Sequence, residues 1–277
     1  MNRLGEVLAV ADAFSEAQIA GAAEVCRELL GVAREEEAEV LLPVATSAVR
    51  DSANADEIVA RLGDALGQPV TVLSGLEEAR LIFSAFRSRV PWKKGRALGL
   101  DLGGGSLEIV LGTTERVEWE ATLPLGAARL ARKFVASDPM AKTERAALKE
   151  HVREQIKPIL RSLEKQKFKH VIATGGTIGV LARMLMEEKK DAGDSARGFA
   201  IEAPALAQLA KKLCKATTKD RMAMPGMSER RVDLVPAGAT IYSVICQALE
   251  IDELTFSDWG LREGVLLEYT GSSLVTS

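Results

Sequence analysis

The run Ala97-Leu98-Gly99-Leu100-Asp101-Leu102-Gly103-Gly104-Gly105-Ser106, followed by Leu107-Glu108-Ile109-Val110-Leu111, holds the residue types best suited to chemistry. An apolar strand delivers an aspartate into three glycines and a serine, and a second apolar strand carries the chain away. Glycine admits backbone angles closed to other residues and lets main-chain amides approach a ligand closely. Amides presented this way form an anion-binding concavity, and the adjacent carboxylate would repel phosphate unless a cation sat between them. The pattern reads as metal-assisted phosphate binding. A plain hairpin whose turn needs small residues is the alternative.

A second strand-to-glycine turn, Gly175-Gly176-Thr177, sits just before a predicted helix, so that free amides and the helix dipole point at its occupant. Together the two turns can grip one phosphate from two sides. Glu78, early in a helix after Ser74-Gly75, is the candidate to orient and deprotonate an attacking water. A solvated helical charge paired with a nearby cation explains a lone glutamate equally simply. Glu108 shares a strand face with Ser106 and is a candidate second metal carboxylate, or else an ordinary outward-facing strand residue. Arg50 ends the Thr46-Ser47-Ala48 turn, whose hydroxyls and amides also suit phosphate. Arg262 opens the last helix, where a cation is unfavourable unless an anion or a carboxylate partners it. His151 and His170 have no spaced partners, and neither a Ser-His-Asp arrangement nor a GxxxxGK[ST] loop occurs.

These residues need elements to hold them. Ser15 caps a predicted helix over Glu16 to Ala33, with strands at Glu39–Val44 and Val70–Leu73 and helices over Asn54–Leu66 and from Gly75 onward. Pro91 to Gly95 is the predicted boundary between two domains, residues 1–92 and 93–277. The glycine-rich hairpin follows, then a strand at Val117–Leu123 and helices at Gly126–Val135 and Thr143–Gln166. A strand at His170–Ala173 leads into a helix from Ile178, and Lys189–Gly198 reads as a surface loop. After a helix at Pro204–Lys215, Lys219–Arg231 is a methionine- and arginine-rich connection. A helix at Asp233–Leu249, a strand at Leu254–Ser257 and a helix at Leu261–Tyr269 close the chain. Strand alternating with helix predicts a layered α/β fold.

At 277 residues, 47% hydrophobic and 27% charged, the chain can bury a sizeable core. Aromatics at 4% leave few platforms for stacked bases, and a net charge of -3 argues against a nucleic-acid-coating surface. Cys26, Cys214 and Cys246 lie far apart, offering neither a disulfide framework nor metal-ligand spacing. No run approaches the ~18 apolar residues of a membrane span and no signal-peptide core is seen, so a cytoplasmic location is expected.

Taken in order, six segments resemble the exopolyphosphatase/guanosine pentaphosphate phosphatase family of the actin, sugar-kinase and heat-shock-chaperone superfamily. They are Ala45-Thr46-Ser47-Ala48-Val49-Arg50, Ser74-Gly75-Leu76-Glu77-Glu78-Ala79-Arg80-Leu81-Ile82-Phe83, Asp101-Leu102-Gly103-Gly104-Gly105-Ser106-Leu107-Glu108, Leu123-Pro124-Leu125-Gly126-Ala127, Thr174-Gly175-Gly176-Thr177 and Gly260-Leu261-Arg262-Glu263-Gly264. The resemblance implies an α/β fold of two ribonuclease-H-like, actin-like ATPase domains around a cleft. It also implies Mg²⁺-dependent release of terminal phosphate from polyphosphate or guanosine pentaphosphate, and a homodimer. Carried over, Glu78 matches the water-activating glutamate, and Asp101 and Glu108 match the metal carboxylates. Ser47, Arg50, Gly103, Gly104, Gly105, Ser106, Gly175, Gly176, Thr177 and Arg262 match phosphate-binding positions. Family members open with a strand, an aspartate-x-glycine-serine-asparagine-serine turn and two further strands. Arg3-Leu4-Gly5 resembles the segment just after them, so the first domain is expected to be incomplete. A polyphosphate or nucleotide sensor of little or no activity, and a kinase-like member of the superfamily, are the alternatives to the hydrolase.

Overall fold

The computed structural model describes residues 11–92, 94–189 and 196–271. Arg3-Leu4-Gly5, Lys93 at the expected boundary and most of the expected 189–198 loop lie outside the described residues. The elements in chain order are α1 (Glu16–Glu35), β1 (Val44–Ala45), α2 (Ser47–Arg50), α3 (Ala55–Leu66), β2 (Thr71–Val72) and α4 (Gly75–Arg89). Next come β3 (Ala97–Leu102), β4 (Leu107–Gly112), β5 (Val117–Leu123), α5 (Ala127–Phe134), α6 (Lys142–Leu163), β6 (His170–Thr174) and α7 (Gly176–Lys189). The chain closes with β7 (Ala200–Glu202), α8 (Ala203–Lys215), α9 (Thr218–Met222), a 3₁₀ turn (Glu229–Arg231), α10 (Val235–Ala248), β8 (Glu253–Phe256) and α11 (Leu261–Thr270).

Six strands form one sheet in the order β5-β4-β3-β6-β8-β7. β3, β4 and β5 run antiparallel as a meander, while β6 and β8 lie parallel to β3. Side chains alternate across a strand, and in β3 this sends Leu98, Leu100 and Leu102 into the main core beneath α6, α8 and α10. Ala97, Gly99 and Asp101 face the other way, toward α4, whose Ala79, Ile82, Phe83 and Phe86 form a second core with Val110 and Ile172. The sheet is therefore covered on both faces, and Asp101 is the acidic residue of an otherwise apolar strand. β1 and β2 form a separate parallel pair packed with α1 and α3 around Phe14, Ile19 and Ile58.

Several expectations need correction. Strand pairing in the 39–44 stretch is confined to Val44 and Ala45, because Pro43 has no amide to donate and only its carbonyl joins the ladder, accepting from Thr71. The 219–231 connection contains α9, begun by a capping box in which Thr217 and Asp220 satisfy each other's backbone amides. β7 was not foreseen; three residues on the sheet edge carry too little periodic signal. The boundary at 92/93 parts the two strand systems, yet α4, from before it, packs on the sheet that follows.

α11 returns across the molecule to lie on α4, and its approach is close enough to require a missing side chain. A Cβ on Gly264 would lie 2.1 Å from the Leu81 carbonyl oxygen, a backbone atom that cannot swing aside. Gly264→Val is expected to cost about 1–3 kcal/mol through overpacking. A urea-unfolding midpoint equal to that of the parent chain would show that the helices separate without penalty.

Candidate active site

α4 begins with Ser74, whose hydroxyl accepts from the Glu77 amide while the Glu77 carboxylate accepts from the Ser74 amide at 2.7 Å. This capping box spends Glu77 on the helix start. Glu78, one residue on, turns inward instead and is only 4% exposed. Its Oε1 accepts from Arg50 Nη1 at 2.5 Å, and the same nitrogen donates to the Leu73 carbonyl at 2.6 Å. Burial pushes the Glu78 carboxyl up, Arg50 holds it down, and Asp51 adds a smaller upward push. The net shift is upward, which brings a carboxylate nearer to the basicity useful at neutral pH.

Asp101 and Glu108 face each other directly across the β3–β4 ladder. Thr122 stands opposite Glu108 on β5, and Thr174 opposite Asp101 on β6, so one row of polar side chains crosses four strands. Burial, with the Glu78 charge, raises Asp101 to about 7. Burial, then the charges of Glu78 and Asp101, raises Glu108 to about 8 despite hydrogen bonds from Ser106 and Thr122. Thr122 Oγ1 donates to Glu108 Oε1 at 3.0 Å. Like charges directly opposite on a sheet are destabilising. Here three carboxyls from three elements, α4, β3 and β4, lie together, an arrangement that a cation would relieve.

The glycine turn beside them uses its carbonyls and leaves amides over. Gly103, Gly104 and Gly105 carbonyls accept from the first amides of α5, at Gly126, Ala127, Ala128 and Arg129. Among the described residues, the Gly104 and Gly105 amides donate to no protein group. Amides left over at a strand end suit an anion. Gly105 also meets Ser47 from the first strand system: a Cβ there would lie 2.4 Å from Ser47 Oγ. Arg129 ties the same two parts together, donating from Nε to the Gly105 carbonyl and from Nη2 to Asp51, both at 2.9 Å.

Gly175 adopts φ +103°, open to glycine alone at little cost, and a Cβ on it would lie 2.7 Å from Asp101 Oδ1. The second turn thus meets the first carboxylate. α7 starts at Gly176, so the amides of its first turn lack intrahelical partners. Thr177 keeps its place in the turn through its backbone. Its side chain is 1% exposed and packs against Gly238 of α10, because helical geometry turns that position inward. Only its amide remains on the turn. Tyr242 braces the turn from below, donating to the Thr174 carbonyl at 3.2 Å.

A cavity of about 670 Å³ extends from Asp101 along Gly175 and Gly176 to Arg231 and to Arg262, whose residue is exposed at the rim. The structure thus gathers Ser47, Arg50, Glu78, Asp101, Gly105, Ser106 and Glu108 in one group, and Gly175, Gly176 and Arg262 along the adjoining cavity. Asp51, Thr122, Arg129 and Arg231 join them without having been singled out. The first three are set by contacts between distant segments, and no local pattern marks them. Arg231 carried one signal, the arginine richness of its connection.

Mg²⁺ takes oxygen ligands, and is commonly held by one or two carboxylates with substrate phosphates and waters completing its shell. Asp101, half-buried, and Glu108, buried, are opposed on the ladder with raised carboxyls and fit that donor set. Among the described residues no group of three acidic, histidine or cysteine side chains forms a complete protein cage. The shell would therefore have to be finished by ligand oxygens and water.

Because the Asp101 and Glu108 carboxyls are raised above their ordinary values, the folded chain favours their protonated forms. The stability they contribute is fully present below about pH 4 and is lost as pH rises through about 7 and about 8. Chelator-treated protein is expected to melt at a lower temperature near pH 9 than near pH 6. Asp101→Asn should flatten that slope; an unaltered slope would show that this carboxyl does not carry it.

The sequence matches the Ppx/GppA phosphatase family over residues 1–273. Exopolyphosphatase 1 of Mycobacterium leprae is 35% identical over 241 residues, covering 85% of this chain and 71% of that protein. Exopolyphosphatase 1 of Mycobacterium tuberculosis is 34% identical over 243 residues, covering 86% and 70%. Among solved structures, an exopolyphosphatase from Cytophaga hutchinsonii matches with a TM-score of 0.86 at 25% identity, over 94% of this chain and 84% of that one. The Aquifex aeolicus member of the Ppx/GppA family matches with a TM-score of 0.77 at 27% identity, over 97% and 86%. The α/β fold is thus that of two actin-like domains, and the chain belongs to the Ppx/GppA phosphatase family.

Proposed function

We propose that this chain is a hydrolase that removes the terminal phosphate from inorganic polyphosphate. The observation that carries the proposal is the convergence of Glu78, Asp101 and Glu108, each raised by burial, with the Glu78 charge acting on both strand carboxyls, beside a turn with free amides. The names of the mycobacterial relatives support polyphosphate as the substrate. Guanosine pentaphosphate presents the same kind of terminal anhydride and is the second substrate to assay.

In this reading the Gly104 and Gly105 amides hold oxygens of the terminal phosphoryl group, and Ser47 lies across the same turn. Glu78 accepts the proton of a water aimed at the terminal phosphorus, in line with the bridging oxygen that leaves. The bond from water oxygen to phosphorus forms as the bridging bond breaks, giving orthophosphate and a chain one unit shorter. Arg50 fixes the direction of the Glu78 carboxylate through its 2.5 Å hydrogen bond. Asp101 and Glu108 would hold Mg²⁺, which when bound offsets the charge that gathers on the phosphoryl oxygens.

Glu78→Gln keeps the shape and an acceptor for Arg50 but removes the base. It is expected to lower kcat for phosphate release by roughly 10²–10⁴-fold. Chelation of divalent cations should stop release and Mg²⁺ should restore it. Release undiminished in Glu78→Gln would remove Glu78 from the mechanism, and release indifferent to chelator would remove the metal. Tight polyphosphate binding with no release by the parent chain would mark a sensor instead.

A further inference from the structure

Helix α2 stands between the candidate base and the first glycine turn. Ser47 and Asp51 lie one helical turn apart, with the Asp51 amide donating to the Ser47 carbonyl at 2.9 Å, so their side chains share a face. Ser47 packs on the glycine turn at Gly105, and Asp51 accepts from Arg129 Nη2 at 2.9 Å. Arg50, from the same helix, donates to Glu78. Its Nε lies 3.5 Å from Asp51 Oδ1. One line of charge pairs therefore runs from Glu78 through Arg50, Asp51 and Arg129 to the Gly105 carbonyl.

Arg129 is the third residue of α5, near the positive end of that helix, where a cation is disfavoured. Two contacts offset the cost. One is the Asp51 carboxylate, and the other is the Gly105 carbonyl, to which Nε donates at 2.9 Å. The Gly126 amide reaches the same oxygen at 3.3 Å, so Arg129 is the closer of its two donors. The Gly105–Ser106 peptide is trans, and in a trans peptide the carbonyl and the next amide point in opposite directions. Holding the carbonyl toward α5 therefore aims the Ser106 amide the other way. Among the described residues that amide donates to no backbone carbonyl. A guanidinium suits the task, because its rigid planar fork spans two partners with one group.

We propose that Arg129, locked by Asp51, is a positioning residue that fixes the glycine turn in register with Glu78, so that a phosphoryl group on the turn lies in line with the water that Glu78 orients. Arg129 touches neither phosphate nor water; it acts through the Gly105 carbonyl on one side and through Asp51 and Arg50 on the other. The inference rests on the hydrolase reading for its effect on rate, and on the tie alone for its effect on the turn.

The test measures phosphate release from tripolyphosphate by the parent chain, Arg129→Met, Arg129→Lys and Asp51→Asn, each below its own melting temperature. Misplacing a reacting group by about 1 Å can cost ~10²-fold, so Arg129→Met is expected to lower kcat by roughly 10–10²-fold. KM should change by less than about threefold, the pattern of an interaction realised in the transition state. Lysine keeps the charge as a single point and loses the fork, so Arg129→Lys should recover the melting temperature but not kcat. Asp51→Asn, on a half-exposed residue, should lower kcat in the same direction. In a Glu78→Gln background Arg129→Met should cost less than about threefold, because no base is left for the turn to be aligned with. The full loss in that background, or variants that melt earlier yet keep the parent kcat, would overturn the proposal. The amide resonance of Ser106 supplies a readout that needs no turnover. Asp51 pairs with Arg50 and Arg129 rather than with the turn, yet Asp51→Asn should shift that resonance, as both Arg129 variants should. A shift supports the tie even where no hydrolysis is found, and an unmoved resonance rejects the inference even where hydrolysis proceeds.

Discussion

Two carboxylates opposed on one rung of a buried sheet are a standing electrostatic cost, and much of the architecture is arranged around it. Asp101 and Glu108 cannot move apart, because the β3–β4 register fixes them directly opposite each other. Water reaches Asp101 from the cavity but hardly Glu108, which is buried. Apolar residues at these two positions would suit the fold better; the cost marks the place where structure gives way to chemistry. Thr122 and Ser106 offset part of it through hydrogen bonds to Glu108, and a third carboxylate, Glu78, worsens it.

The surrounding elements divide the labour. The six-stranded sheet supplies the carboxylates and both glycine turns, all at strand ends. The smaller strand pair supplies Ser47 and Arg50 through the short helix α2. Helix α4 belongs to both, since its apolar side packs on the sheet while Glu78 meets Arg50. Arg129 and Asp51 form a polar tie across the same junction. Each group that a phosphate would meet is thus held by an element whose other face is buried.

Much of this was readable in the residues. The β3–turn–β4 unit, the strand at Val117–Leu123 and the helix after Ser74 were evident because alternation, glycine and capping chemistry are local signals. The Glu77–Glu78 pair was visible too, but which of the two faces inward depended on a capping box that only the helix start resolves. That the Thr177 side chain packs against Gly238 of helix α10 was not legible, because a contact between segments so far apart leaves no local mark. Asp51 and Arg129 were illegible for a different reason: 78 residues separate them, and nothing near either one announces the other.

One further feature bears on how the molecule can be observed. Of the three tryptophans, Trp92 is buried and Trp119 packs on the edge of the main core. Trp259 is flanked in the chain by Asp258 and Gly260, which line the arginine-bearing cavity, and the Arg89 guanidinium lies 4.9 Å from its ring centre. An indole stacked under a cation responds in its emission to any change in that stacking. The chain therefore carries a built-in optical reporter next to two residues of that cavity's wall, needing no label.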